Sequence, residues 1–216
     1  MAKKVSISEF RVMNARRCSE AFHPNGDWWP IEKWLLAISG ECGEALESAW
    51  KIPTWRRPRR FKELFQELAD VITYCDLAIT TLGYKTEDLV NSPTFEATGT
   101  KVKFYDAAGS LSLIPVIEQV AGVAMRVGQI CNLVKKVIRG DFPIESKQEE
   151  IVLGLADVVA YCSTLIRCHS GDPGQVIFDK FEEVNVRVGW PRCEFGGNHS
   201  RANCDCDPTD TEGRND

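Results

Sequence analysis

Apolar residues recur at helical spacing along most of this chain, while the two-residue alternation of a half-buried strand is scarce. The first periodic segment runs from Ile31 to Lys51 and carries Leu35, Leu36, Ala37, Ile38, Ala45, Leu46 and Ala49. Pro30 precedes it and Pro53 stops it, because proline cannot continue the hydrogen-bond ladder. A basic loop, "TWRRPRR", leads into a second segment from Phe61 to Leu82, with Leu64, Leu68, Val71, Ile72, Cys75 and Ile79 at helical spacing and Gly83 as its stop. Residues 91–112 are rich in Ser, Thr and Gly and read as a connection, with a short strand at Lys101 to Tyr105. Two further long helices are expected, from Pro115 to about Ile138 and from Lys147 to Cys168, and then a shorter one from Gly174 to Val188. The pattern predicts an all-α protein.

The chain also resembles itself. "LADVITYC" (68–75) and "LADVVAYC" (155–162) share six of eight residues, and "GEALESAWKI" (43–52) lies over "GQICNLVKKV" (128–137) with Gly43 on Gly128 and Lys51 on Lys136. Two matches in the same order, at offsets that differ by two residues, indicate an internal duplication. The expected organisation is a first repeat at 1–92, a connection at 93–112, a second repeat at 113–191 and a polar tail at 192–216. Each repeat is a helical hairpin that cannot bury its apolar face alone, so the two pack into one helical bundle.

Composition narrows the function. The chain has 216 residues, is 44% hydrophobic and carries a formal net charge of −5, which argues against a partner that is a nucleic acid polymer. No apolar stretch is read as a membrane span, and "MAKKVSISEF" lacks the apolar core of a signal peptide, so no membrane partner and a cytosolic location are expected. Among the nine cysteines, Cys42, Cys75, Cys131 and Cys162 sit in apolar periodic segments and are expected to be reduced core residues. Cys193, Cys204 and Cys206, with His199 between them, lie in the tail; without a paired C-x-x-C they are read as part of a disordered segment ahead of a zinc site.

The segment "SGECGEALESAW" (39–50) places Glu41, Glu44 and Glu47 three apart in an otherwise apolar helix. Glu67 and Asp70 repeat the spacing in the next helix, about 60° apart around the axis. Antiparallel packing would bring Glu41, Glu44, Glu67 and Asp70 together, and four clustered carboxylates need a cation to neutralise them. Hard divalent ions such as Mg²⁺ take oxygen ligands and bridge carboxylates to phosphates. Spacing alone leaves two readings, a solvated helix face or a metal site. Glycines beside Glu41 suggest close helix approach and room for a ligand.

"ISGECGEALE" followed by "ELADVITYCDLAI" resembles the E-x-x-E … E-x-x-D signature of MazG-like nucleoside triphosphate pyrophosphohydrolases, the all-α group that includes the dimeric dUTPases. "FRVMNARRCSEAFHP" and "KFEEVNVRVGWP" resemble flanking segments of phage and bacterial members. The resemblance implies a helical bundle, usually oligomeric, with a homodimer among the expected assemblies, in a bacterial or phage-infected cytosol. It implies Mg²⁺, with Mn²⁺ as a substitute, held by Glu41, Glu44, Glu67 and Asp70. It also implies hydrolysis of a (deoxy)nucleoside triphosphate to the monophosphate and pyrophosphate, with Glu41 or Glu44 as the catalytic proton acceptor.

The second repeat departs from the signature: Arg126, Gln129 and Gly154 stand opposite Glu41, Glu44 and Glu67, and only Asp157 survives opposite Asp70. Lys180 and Arg187, seven apart near one helical face, are the candidate phosphate cations in a composite site. Lys51 is a further candidate, or a helix C-terminal charge. Asn14 and Trp28 are candidate base-binding residues, with Arg17, His23 and Trp29 nearby; Trp34 and Trp50 are read as core. Two other classes compete. A di-iron carboxylate bundle needs histidines three residues after its acids, and no His lies three residues after Glu41, Glu44, Glu67 or Asp70. A catalytically inactive nucleotide-binding or assembly module of the same fold is the other.

Overall fold

A computed structural model describes residues 5–52, 61–90 and 114–190. Seven α-helices are present there and no strand: α1 Ile7–Arg17, α2 Ile31–Trp50, α3 Phe61–Thr81, α4 Thr86–Val90, α5 Val116–Ile138, α6 Gln148–Cys168 and α7 Pro173–Val188. The protein is an all-α helical bundle. The expected strand at Lys101 to Tyr105 and the Cys/His tail lie outside the described residues.

Helices α2, α3, α6 and α5 form a closed ring in that order: α2 packs on α3 and α5, and α6 packs on α3 and α5. Segments matched by the internal duplication are therefore neighbours, α2 beside α5 and α3 beside α6. Their inward faces supply Ile38, Leu68, Ile72, Val123, Ile151 and Leu155, each at most 1% exposed. Cys42, Cys75 and Cys162 are free thiols at the centre. Burial pushes Cys75 and Cys162 well above the usual thiol value, so they act as small apolar groups. Gly83, at φ +83°, turns the chain after α3.

Helix α6 is long and apolar enough to cross a membrane by length and composition, contrary to the sequence expectation, yet most of it is buried within the bundle. Its hydrophobicity is used internally, against α3 and α5.

The N-terminal segment, read from sequence only as a flank, forms α1. Ser6 caps it: the Ser6 hydroxyl accepts from the Glu9 amide and the Glu9 carboxylate accepts from the Ser6 amide at 2.7 Å. Its last turn widens to a π-helical turn at Cys18–Phe22, where the His23 amide donates to the Cys18 carbonyl five residues back. Helices α1 and α7 both pack on α3. α7, counted from sequence with the second repeat, thus lies chiefly against the first. Trp50, expected in the core, is 78% exposed. It falls seven residues after Gly43 and three after Glu47, on the outer face of α2.

Candidate metal and nucleotide site

Where α2, α3 and α7 meet beside the end of α1, a cavity of about 430 Å³ opens. Glu41 and Glu44 reach it from α2, Glu67 and Asp70 from α3, and Lys180 and Arg187 from α7. Carboxylate oxygens of Glu41, Glu67 and Asp70 all lie within 4.8 Å of one another. Glu44 lines the cavity outside that cluster and is exposed. The i, i+3 spacing on two packed helices brings the acids together, and α7 lays cations against them.

Electrostatics record the strain of that gathering. Burial, and then the charges of Asp70, Glu44 and Glu67, raise the Glu41 carboxyl to about 7. Burial also raises Glu67 and Asp70, with Lys180 opposing the rise in both. The Lys180 ammonium contacts Asp70 at 3.0 Å and Glu183 at 3.3 Å. Burial by itself would lower Lys180, but the Asp70 and Glu183 contacts carry it above the usual lysine value. At neutral pH the cavity therefore holds repelling acids only partly offset by its own cations.

The rest of the lining is largely aromatic and basic. Trp29 and His23 belong to it, 5.6 Å apart between ring centroids, and Trp29 leans on Trp34 at 4.9 Å. Trp34 is core, as expected, and its indole donates to Thr81 at 2.9 Å. Arg17 also lines the cavity. Its guanidinium lies 4.1 Å from the Phe181 ring centroid and donates to the Phe181 carbonyl, Asn185 and Asn14. Burial lowers Arg17 to about 10, which still leaves it charged at neutral pH. Tyr74 and Phe22 were not named from sequence, whereas Arg17 and Trp29 were named only as neighbours of the candidate base-binding residues. The signal for Arg17 was local: Asn14 and Arg17 are three apart on a helix announced by the Ser6–Glu9 capping box.

The other sequence candidates divide. Asn14 lines the cavity but is fully buried, and its side chain is committed: the amide donates to the Thr73 carbonyl at 3.1 Å and Asp76 at 2.9 Å, while its oxygen accepts from Arg17. It positions Arg17. Trp28 is not among the residues lining the cavity; its indole donates to Ser19 at 3.1 Å, and its neighbour Trp29 takes the wall. Lys51 is exposed, pairs with Glu47 at 2.7 Å and also lies outside the lining.

At the corresponding place in the second hairpin the residues and their contacts differ. Arg126, opposite Glu41, bonds Asp157 at 2.7 Å, donates to the Gly122 carbonyl at 2.9 Å and lies 4.2 Å over the Tyr161 ring. A built-in cation neutralises the surviving acid. Gly154, opposite Glu67, has no room for a side chain, since a Cβ there would come within 2.9 Å of Ile130.

Comparison with protein-family models, with curated proteins and with solved structures finds no match.

The raised Glu41 carboxyl sets a pH dependence. A carboxyl held near 7 when folded but near 4.5 when unfolded favours the fold below pH 4.5. That contribution is lost as pH rises through 7. The stability of the metal-free protein relative to Glu41→Gln is therefore expected to fall between about pH 4.5 and 7. Urea titrations of both proteins across that range check the sign; a difference that is flat or rises with pH would contradict it.

Proposed function

We propose that this chain is a divalent-cation-dependent hydrolase that converts a (deoxy)nucleoside triphosphate to the monophosphate and pyrophosphate, acting in nucleotide-pool control in the cytosol. One observation carries the reading: a single cavity sets the Glu41, Glu67 and Asp70 cluster against Arg17, Lys180 and Arg187, with indole and imidazole rings beyond them. A ligand that satisfies all three features has a polyanionic part and a planar part. A nucleotide has both.

The acids fit a hard divalent cation, because three convergent carboxylates, one of them raised to about 7 by burial and then by the charges of its neighbours, are what Mg²⁺, or Mn²⁺ in its place, relieves. Bound there, the ion supplies charge neutralisation and Lewis-acid activation at the α-phosphoryl group. Glu41, Glu67 and Asp70 would hold it. Glu44, which lines the cavity outside their cluster, takes the proton of the water that attacks the α-phosphorus. The bond from that phosphorus to the α–β bridging oxygen breaks, and pyrophosphate leaves with the electron pair. With Asp70 engaged by the ion, Lys180, which contacts Asp70 at 3.0 Å, and Arg187 would be available to the phosphates. Trp29 offers a face for the base.

The test is pyrophosphate release from a panel of nucleoside triphosphates with Mg²⁺ and with EDTA. Turnover is expected only with the ion. Lys180→Ala and Arg187→Ala are each expected to lower kcat/KM at least about tenfold. Unchanged constants in both would refute the composite site. Nucleotide binding without turnover would make the protein an inactive module of the same fold.

A further inference from the structure

Helix α3 also buries an acid that the cavity does not use. Asp76 is fully buried, lies outside the cavity lining and faces α1 and α4. A buried carboxylate destabilises the fold unless hydrogen bonds answer it. Thr86 on α4 donates to one Asp76 oxygen at 2.6 Å, and the Asn14 amide on α1 donates to the other at 2.9 Å. Burial raises the Asp76 carboxyl to about 6, against the pull of those two bonds, so at neutral pH it is chiefly ionised. An ionised carboxylate only accepts. It therefore turns the NH₂ of Asn14 toward itself, and the Thr73 carbonyl accepts from the same group at 3.1 Å. The Asn14 oxygen is left facing Arg17, whose guanidinium donates to it at 3.3 Å.

Arg17 carries this chain of bonds across to α7. Its other terminal nitrogen donates to the Phe181 carbonyl and to the Asn185 side chain, both at 3.1 Å. Phe181 and Asn185 lie between Lys180 and Arg187 in the sequence of α7. The Arg17 Nε has no hydrogen-bond partner among the described residues, so the aim of the guanidinium rests on these bonds and on the Phe181 ring beneath it. Apolar contacts, such as Phe10 against Phe181, hold α7 to the bundle but are not directional, whereas hydrogen bonds are. We infer that Asp76 is a positioning residue for the phosphate cations: through Asn14 and Arg17 it fixes where α7 presents Lys180 and Arg187 to the cavity. The inference rests on the proposed role of those two cations and extends it to an acid outside the cavity.

A double-mutant cycle between Asp76 and Arg17 tests it. Asp76→Ala frees the Asn14 amide and is expected to raise KM for the nucleoside triphosphate about tenfold, with kcat changed far less. Mn²⁺ affinity is expected to stay at the parent value, because the acid cluster keeps its oxygens. In an Arg17→Met background, where the chain of bonds is already cut, Asp76→Ala is expected to add no further rise. Asp76→Asn keeps an acceptor for Asn14 and is expected to hold KM close to the parent's. Asp76→Val, which fills more of the vacated space, takes the place of Asp76→Ala should that variant lose helical circular dichroism. The same cycle is read on the binding of inorganic tripolyphosphate with Mg²⁺. A parent that binds tripolyphosphate without turnover would sink the proposed activity and leave the binding cycle to judge the inference. Effects of Asp76→Ala and Arg17→Met that simply add would overturn the inference. So would an Asp76→Ala protein with unchanged KM and tripolyphosphate affinity, or a parent that binds no tripolyphosphate.

Discussion

Glu44→Gln is expected to cut pyrophosphate release by about 10²–10⁴-fold while leaving divalent-cation affinity close to that of the parent. Glu44 lines the cavity but stands outside the three-carboxylate cluster, so under the proposed mechanism its loss would remove the proton acceptor and spare the cation's ligands. Glu41→Gln is expected to behave differently. It removes one of the clustered oxygens, so Mn²⁺ binding, followed by the paramagnetic resonance of the free ion, and turnover should fall together. The contrast between the two variants is the informative quantity. Should Glu44→Gln turn over within a few-fold of the parent, the assignment of the proton acceptor fails. Should both variants keep the ion and the activity, the acid cluster is not the site.

Asp157→Ala is expected to be the more damaging change to stability. Arg126 is 7% exposed in its side chain and Asp157 18%, so deleting the acid takes a carboxylate 2.7 Å away from a largely buried guanidinium. Removing one partner of such a pair costs about 3–5 kcal/mol, and the partial exposure of Asp157 favours the lower end. In a chain of this size that lowers Tm by roughly 6–20 °C. Arg126 also contacts the Gly122 carbonyl and the Tyr161 ring, neither of which carries a formal charge. Arg126→Met with Asp157→Ala is expected to recover much of the loss, since an apolar pair has no charge to desolvate. Thermal unfolding of the three proteins decides it; a single variant that melts with the parent would show that the pair is not structural. Asp70 and Asp157 occupy the same motif, yet one faces a ligand cavity and the other an internal arginine.

Helix class and the main helix positions were legible because apolar periodicity reports directly which face is buried. α2, α3, α5, α6 and α7 all begin and end within a residue or so of the expected points. The meeting of Glu41, Glu67 and Asp70 was legible too, since i, i+3 spacing fixes a helix face and antiparallel packing supplies the partner. α1 was missed because its inward face carries Asn14 and Arg17, so apolar periodicity is weak there; only its capping box announced it. Trp50 was misjudged by residue type, although its helical phase with Gly43 and Glu47 placed it outside.

What the sequence determined by itself is the local part: which residues are helical, which acids share a face, and that Arg126 and Gly154 break the signature in the second repeat. Tertiary structure alone decided that α7 crosses to α3 and delivers Lys180 to Asp70. It also decided that Arg17 reaches the same cavity from α1, and that Arg126 takes the place a cation would fill beside Asp157. The physical reason is range. Helix phase is set by neighbours within a turn or two, whereas the meeting of charges from distant segments depends on how whole helices share the burial of their apolar faces, which no local spacing encodes.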